Sequence, residues 1–329
     1  MKERNPNIEL LRVVFMIVIC LWHFRGVAPS FNNGYIAVEF FFIVSGFLLY
    51  NSYCNHPEIS TYNYILKKIK VFYPAYIIMF FPTMIIRWRE WIPSDYNLDG
   101  IVSVFNVVIR DIFLLGGLEI YGGIPLNPPL WYITILLVGS YFLYTLLKIV
   151  GKYTIHICSI LVVLLYIYLF DVSNSLDCFS GIRFHEIIRG IAGMSLGVLL
   201  SYIAVYKNLR KSNRFVFISM TLIALFYCYS SVHYDCYAIL VFSILILSSL
   251  TKYDYHPFLE QIIIRLGGIT YEMLCVHIAI NQSFAYIAKT IVLPNYLNII
   301  IYLVLVITFA VFLHKLVIAF RKKFVWFQL

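Results

Sequence analysis

Long apolar runs, broken by short polar or charged segments, make up most of this chain. Crossing bilayer hydrocarbon takes about 20 mostly apolar residues. Runs of that order stand at roughly 8–25, 35–53, 66–87, 130–149, 153–170, 186–206, 215–232, 236–251, 266–287 and 297–320. They are continuous rather than alternating, so they lack the period-two signature of a transmembrane barrel. In hydrocarbon every backbone amide must pair within its own segment, and such runs therefore predict helices. The expected fold is all-α: a polytopic transmembrane helical bundle of about ten spans, forming one integral membrane domain over residues 1–329.

One shorter apolar segment, 101–116, carries Arg110 and Asp111 and is expected to lie in the interface or re-enter. With it left out of the count, the lysine and arginine clusters at Lys67–Lys70, Lys148/Lys152, Lys207–Arg214 and Arg321–Lys323 share one side, and Asp171 and Asp177 fall on the other. Positive charge marks the cytoplasmic face, so both termini are expected there, with the chain multi-pass in the cell membrane. The Gly/Pro-rich segment 116–129, ending in Asn127-Pro128-Pro129, cannot continue a helix and predicts a shaped loop ahead of Leu130-Trp131.

Composition supports this and excludes other classes. Hydrophobic residues are 62% of the chain and charged residues 12%, too little polar surface for a soluble domain of this length. The net charge of +9 gathers at the ends of apolar runs, the pattern of anchoring against anionic membrane lipids rather than of a nucleic-acid surface. The seven cysteines lie mostly inside apolar runs without metal-ligand spacing, so no metal is expected. Arg12 and His23 interrupt the first run, and no small-residue cleavage site follows it, which argues against a removed signal peptide.

An ionisable residue inside a span costs about 2.5–3.5 kcal/mol, so each asks for a partner or a role. Glu9 and Arg12 are spaced to pair on one helix face. Arg12 and His23 share a face close to three turns apart, about 16 Å along the axis. Glu39 has no cation within a turn and needs a partner on another span. A carboxylate able to orient an imidazole is what general-base chemistry uses, which pairs Glu39 with His23 in expectation. His277 lies inside a late span, and His185, Glu186 and Arg189 open the sixth.

The ordered set Glu9-Leu10-Leu11-Arg12, His23, and Val38 to Phe47 with its Glu39-Phe40-Phe41 and Ser45-Gly46-Phe47 resembles the membrane-bound acyltransferase 3 family. So do the basic stretch before Tyr73-Pro74, the opening Leu130-Trp131-Tyr132, and Thr270-Tyr271 through His277. Two features depart from the family's pattern. Lysines replace the arginines before Pro74, and no Glu follows Trp131 in Ile133–Leu137. The resemblance implies transfer of an acyl group, expected to be acetyl, from cytoplasmic acyl-CoA to a hydroxyl of a cell-surface or lipid-linked glycan. It implies that Arg12, Lys67, Lys68 and Lys70 hold the phosphates of the acetyl-CoA donor, that His23 is the base and that Glu39 fixes its tautomer. His277, Arg189 and His185 are then candidates to meet the acceptor. A transporter or flippase for a lipid-linked glycan is the alternative, since it too would carry polar residues on facing helices.

Overall fold

The computed structural model describes residues 4–24, 26–28, 30–87, 98–118, 126–173, 175–177, 184–206, 214–231, 234–251, 253–288 and 293–327. Among them there is no strand. Twelve α-helices follow in order: α1 Pro6–Phe24, α2 Ala37–Asn55, α3 Thr61–Ile86, α4 Leu98–Ile112, α5 Trp131–Val150, α6 Thr154–Val172, α7 His185–Tyr206, α8 Arg214–Tyr229, α9 Asp235–Ser248, α10 Pro257–Gly268, α11 Thr270–Ala288 and α12 Asn295–Lys323. The all-helical membrane architecture expected from the apolar runs is what the chain adopts.

Local sequence explains several boundaries. Asn5 caps α1, its side-chain oxygen accepting from the N–H of Asn7 at 2.9 Å, with Pro6 opening the first turn. Ser60 caps α3 in the same way through the N–H of Asn63 at 3.2 Å. Arg321, Lys322 and Lys323 close α12, where cations suit the helix dipole.

Among the described residues six stretches are long and apolar enough to cross a membrane, and a seventh joins them if α10 and α11, separated by a turn at Ile269, count as one. That is fewer than the ten runs read from the sequence. Two of those runs correspond to α8 and α9, which have only 16 and 14 residues. One stretch, Pro128–Val172, is 45 residues long and holds both α5 and α6. It doubles back at Gly151, whose φ of +58° suits only glycine without strain. Gly139 before the turn lies against Met194 and Cys158 after it lies beside Ser195, so α5 and α6 return to one place on α7. The ambiguous segment folds as the 15-residue α4 and is not among the membrane-length helices. Most of the basic cluster Lys207–Arg214, and residues 119–125 of the predicted loop, lie outside the described residues.

The chain's contacts gather into two compact units, each assembled from separated segments. Unit one holds Met1–Trp22, Ser30–Ile65 and Val138–Gly268; unit two holds His23–Pro29, Leu66–Leu137 and Ile269–Leu329. In unit one α2 packs along α7, α6 packs on α7, and α8 pairs with α9. The α2–α7 contact is close because glycines form it. A Cβ on Gly46 would overlap the Met194 carbonyl, and one on Gly197 the Ile43 carbonyl. Small residues are how helices in lipid approach and gain dispersion energy. In unit two α11 packs along α12, and the Pro128–Leu130 turn leans on α11.

Candidate active site

In unit two, α11 carries His277 on a fully buried face. The ring's Nδ1 lies 2.9 Å from the Leu274 carbonyl. A carbonyl only accepts, so Nδ1 bears the proton and Nε2 keeps its lone pair. That Nε2 has no hydrogen-bond partner among the described residues. Leaving a buried polar atom unsatisfied costs about 1–3 kcal/mol, so this nitrogen is available to a neighbouring donor.

The neighbouring ring is His23, at the last turn of α1. The two imidazole centroids are 5.1 Å apart with an interplanar angle of 48°. His23 is half-buried, whereas His277 is not accessible at all. Asn281, one turn beyond His277, donates to the His23 carbonyl at 2.7 Å. Phe24 stacks on Tyr302 of α12 at 4.0 Å and meets Phe284 edge-on at 5.4 Å. The Tyr302 hydroxyl in turn donates to the His277 carbonyl at 3.4 Å. Three side chains therefore hold the His23 turn beside His277, so the ring pair is a built arrangement.

The Asn127-Pro128-Pro129 segment reaches the same place. Asn127 donates to the Cys275 carbonyl at 2.9 Å, two residues from His277. Its neighbour Leu126 is clamped at both backbone atoms. The N–H donates to Asp111 at 2.7 Å, and the carbonyl accepts from Arg87 at 2.7 Å. Arg110 Nε holds Asp111 at 2.9 Å, both side chains nearly inaccessible. The charged pair that made segment 101–116 ambiguous thus fixes a loop against α11. Sequence reading placed no role on Asp111, Arg87 or Asn127. Two adjacent opposite charges in an apolar segment were the available signal.

Of the donor-side cations, Lys67 is exposed and Lys68 and Lys70 are half-buried, all on α3 in unit two. Lys70 Nζ sits 5.5 Å over the Trp326 ring. Arg321 donates to the Val71 carbonyl at 2.8 Å, tying the end of α12 to this stretch. Arg12 belongs to unit one, where it pairs with Glu9 at 3.0 Å as the spacing predicts, and is 28% exposed.

Glu39 differs from expectation. It needs a cation on another helix and has one, but that cation is Arg189, and the two form a buried pair in unit one at 2.9 Å. The second carboxylate oxygen accepts from Tyr166 at 2.5 Å. Arg189 also donates to the carbonyls of Leu176 at 2.6 Å and Tyr35 at 3.0 Å. Gly193, one turn on from Arg189, leaves the room that the Glu39 carboxylate occupies. Both oxygens of Glu39 are thus taken by Tyr166 and Arg189, and the aromatic neighbour of His23 is His277. Arg189, expected at a helix end facing a sugar, is instead an internal partner at 1% exposure, and His185 beside it is buried as well. Asp235 is a further buried centre that sequence reading passed over. It accepts from Tyr35 at 3.1 Å, from the Leu176 N–H at 2.6 Å and from Tyr227 at 3.3 Å. Among the described residues no group of His, Cys, Asp and Glu is arranged to hold a metal ion.

A protein-family model described as an acyltransferase domain (Acyl_transf_3) matches residues 5–315, which contain both histidines, Glu39, Arg12 and the α3 lysines. No curated protein and no solved structure matches the chain. A match over nearly the whole chain, with the motif residues on membrane-length helices, is enough for assignment: the chain belongs to the acyltransferase 3 family, whose reaction is acyl transfer.

Proposed function

We propose that this protein transfers an acyl group, acetyl being the expected one, from acyl-CoA to a hydroxyl of a cell-surface or lipid-linked glycan. The observation that carries this reading is the open Nε2 of His277 beside the half-buried ring of His23. His23, the more accessible of the two, is the base. Its ring nitrogen takes the acceptor's O–H proton as that oxygen bonds to the thioester carbonyl carbon. The C–S bond breaks, the thiolate leaves with the electron pair, and the imidazolium returns its proton to that sulfur. General-base help of this kind contributes roughly 10²–10⁴-fold.

His277 takes the supporting part that the sequence alone gave to Glu39. When His23 becomes an imidazolium, its other ring N–H donates to the Nε2 lone pair of His277, which makes no hydrogen bond before that step, and the positive charge is stabilised. The orientation of His277 is fixed by Leu274. Lys67, Lys68 and Lys70 supply charge for the donor's phosphates, and lysine does so as a point charge rather than as a fork. Arg12 is assigned the same chemistry on family resemblance.

The test is direct. Cells producing the protein are fed isotope-labelled acetate, and their surface and lipid-linked glycans are compared by mass spectrometry with those of cells lacking it. Labelled ester on the glycan only when the protein is present supports the reading. Unchanged acylation, with altered distribution of a lipid-linked glycan across the membrane, would replace it with the transporter.

A further inference from the structure

Residues beyond 315 lie outside the stretch that the family model matches, yet in unit two they return to the α3 lysines. After α12 the chain leaves helical geometry at Phe324, and a short turn, Val325–Phe327, follows. Phe327 fixes that turn. It stacks on Tyr73 of α3 at 5.9 Å, with the rings 1° from parallel, and packs on Phe320 of α12 at 5.3 Å. Trp326, 52% exposed, is left as the outward ring of the turn. Its centroid lies 5.5 Å from Lys70 Nζ, within cation–π reach.

Arg321 comes to the same stretch from the last turn of α12. Its Nη2 donates to the Val71 carbonyl at 2.8 Å and to the Lys70 carbonyl at 3.4 Å. Its Nε is buried and has no hydrogen-bond partner among the described residues. Glu272 of α11 is within electrostatic reach, but its carboxylate is bonded to His314 at 2.7 Å. A guanidinium carries five N–H donors in a planar fork, so Arg321 has capacity left for an anion.

The α3 lysines thus stand beside two groups of different chemistry: a fork of N–H donors and a half-exposed aromatic face. A membrane-interface anchor would account for a tryptophan alone, and a lipid phosphate for the cations alone. A nucleotide uses both, because one ribose joins its flat base to its phosphates. Aromatic side chains bind bases by stacking, and a cation close to the ring adds to the attraction.

We infer that Trp326 and Arg321 are specificity-determining residues of the donor site, Trp326 stacking on the adenine of acyl-CoA and Arg321 taking its phosphates together with the α3 lysines. The inference rests on the acyl-transfer reading for its ligand. It adds what the lysines alone do not provide, a means of telling coenzyme A from a bare phosphopantetheine. It concerns binding only, so it is tested without turnover.

The experiment measures affinity for two probes, coenzyme A and phosphopantetheine, on the full chain in phosphatidylcholine nanodiscs. Trp326→Ala should weaken coenzyme A at least roughly fivefold, the loss of one stacked base, and leave phosphopantetheine unchanged. Trp326→Phe, which still stacks, should recover most of that loss. Trp326→Leu keeps an apolar side chain that cannot stack, and it gives a second reading if the alanine variant melts early. Arg321→Gln should weaken coenzyme A about tenfold, and Arg321→Lys should restore only part, since lysine has no fork. Unchanged affinity for coenzyme A in both Trp326→Ala and Arg321→Gln overturns the inference and leaves the two residues as anchors against anionic lipid. A loss on Trp326→Ala that phosphopantetheine shares equally also overturns it, because the ring then supports the fold rather than a base. Wild-type protein that binds no coenzyme A would instead remove the acyl-CoA donor itself, so the two failures read out separately.

Discussion

The imidazole rings of His23 and His277 face each other at 5.1 Å although they come from opposite ends of the chain. The Asn281 side chain on the His23 carbonyl, and Phe24 between Phe284 and Tyr302, keep them there. The Nδ1 bond of His277 to Leu274 is made within its own helix turn.

If His277 supports His23 by accepting a hydrogen bond, then side chains at 277 should rank by that capacity. His277→Gln retains an acceptor and should keep part of the activity. His277→Leu fills similar space without one and should lose roughly 1.5–3 kcal/mol of support in the transition state, the worth of a hydrogen bond to a charged group. The loss should fall on kcat more than on KM. Equal activities for the two variants would reduce His277 to a packing residue.

The Glu39–Arg189 pair should behave as a structural element of unit one. Removing one member of a buried pair typically costs about 3–5 kcal/mol, since the other is left charged and uncompensated. Arg189→Met should therefore lower the detergent melting temperature sharply, and Glu39→Gln, which still bonds Tyr166 and Arg189, should do so less. An Arg189→Met protein that melts normally but has a raised KM for acceptor would return Arg189 to the substrate.

Close approach of α2 and α7 predicts that Gly46→Ala is poorly tolerated. The added methyl meets the backbone of Met194, which cannot swing aside as a side chain would. Overpacking of this kind costs about 1–3 kcal/mol. Gly26→Ala, where a Cβ meets nothing within 4 Å, is the control. Thermal unfolding of both in detergent should separate them clearly.

These relationships show how far the sequence alone reaches. Apolar run length and the absence of period two revealed a helical membrane protein, and the Glu9–Arg12 pair followed from spacing within one helix. Glu39 declared its need for a cation, yet Arg189 lies 150 positions away and nothing local could select it. His277 carried a histidine's ambiguity until its neighbour was known. The break at Ile269 was hidden because hydropathy continues across it, and α8 and α9 looked longer in apolar content than they are as helices. Local pattern settles what an element is; partners between distant elements are fixed only by packing.

The α3 lysines should govern the donor. Converting Lys67, Lys68 and Lys70 to glutamate should raise the KM for acyl-CoA at least tenfold, more at low ionic strength, because the phosphates then meet like charge. Arg12→Ala is measured beside it. An unaltered KM for acyl-CoA in both variants would leave these cations as lipid anchors.

The account's central claim is that His23 is the base. Its most direct test is the rate of acyl transfer from labelled acetyl-CoA to membrane glycan by His23→Ala, in protein shown by melting temperature to be folded. The predicted result is a fall of roughly 10²–10⁴-fold, shared by His23→Gln, which keeps hydrogen bonding but cannot take a proton near neutral pH. A folded His23→Ala protein that transfers acyl groups at close to the wild-type rate would contradict it.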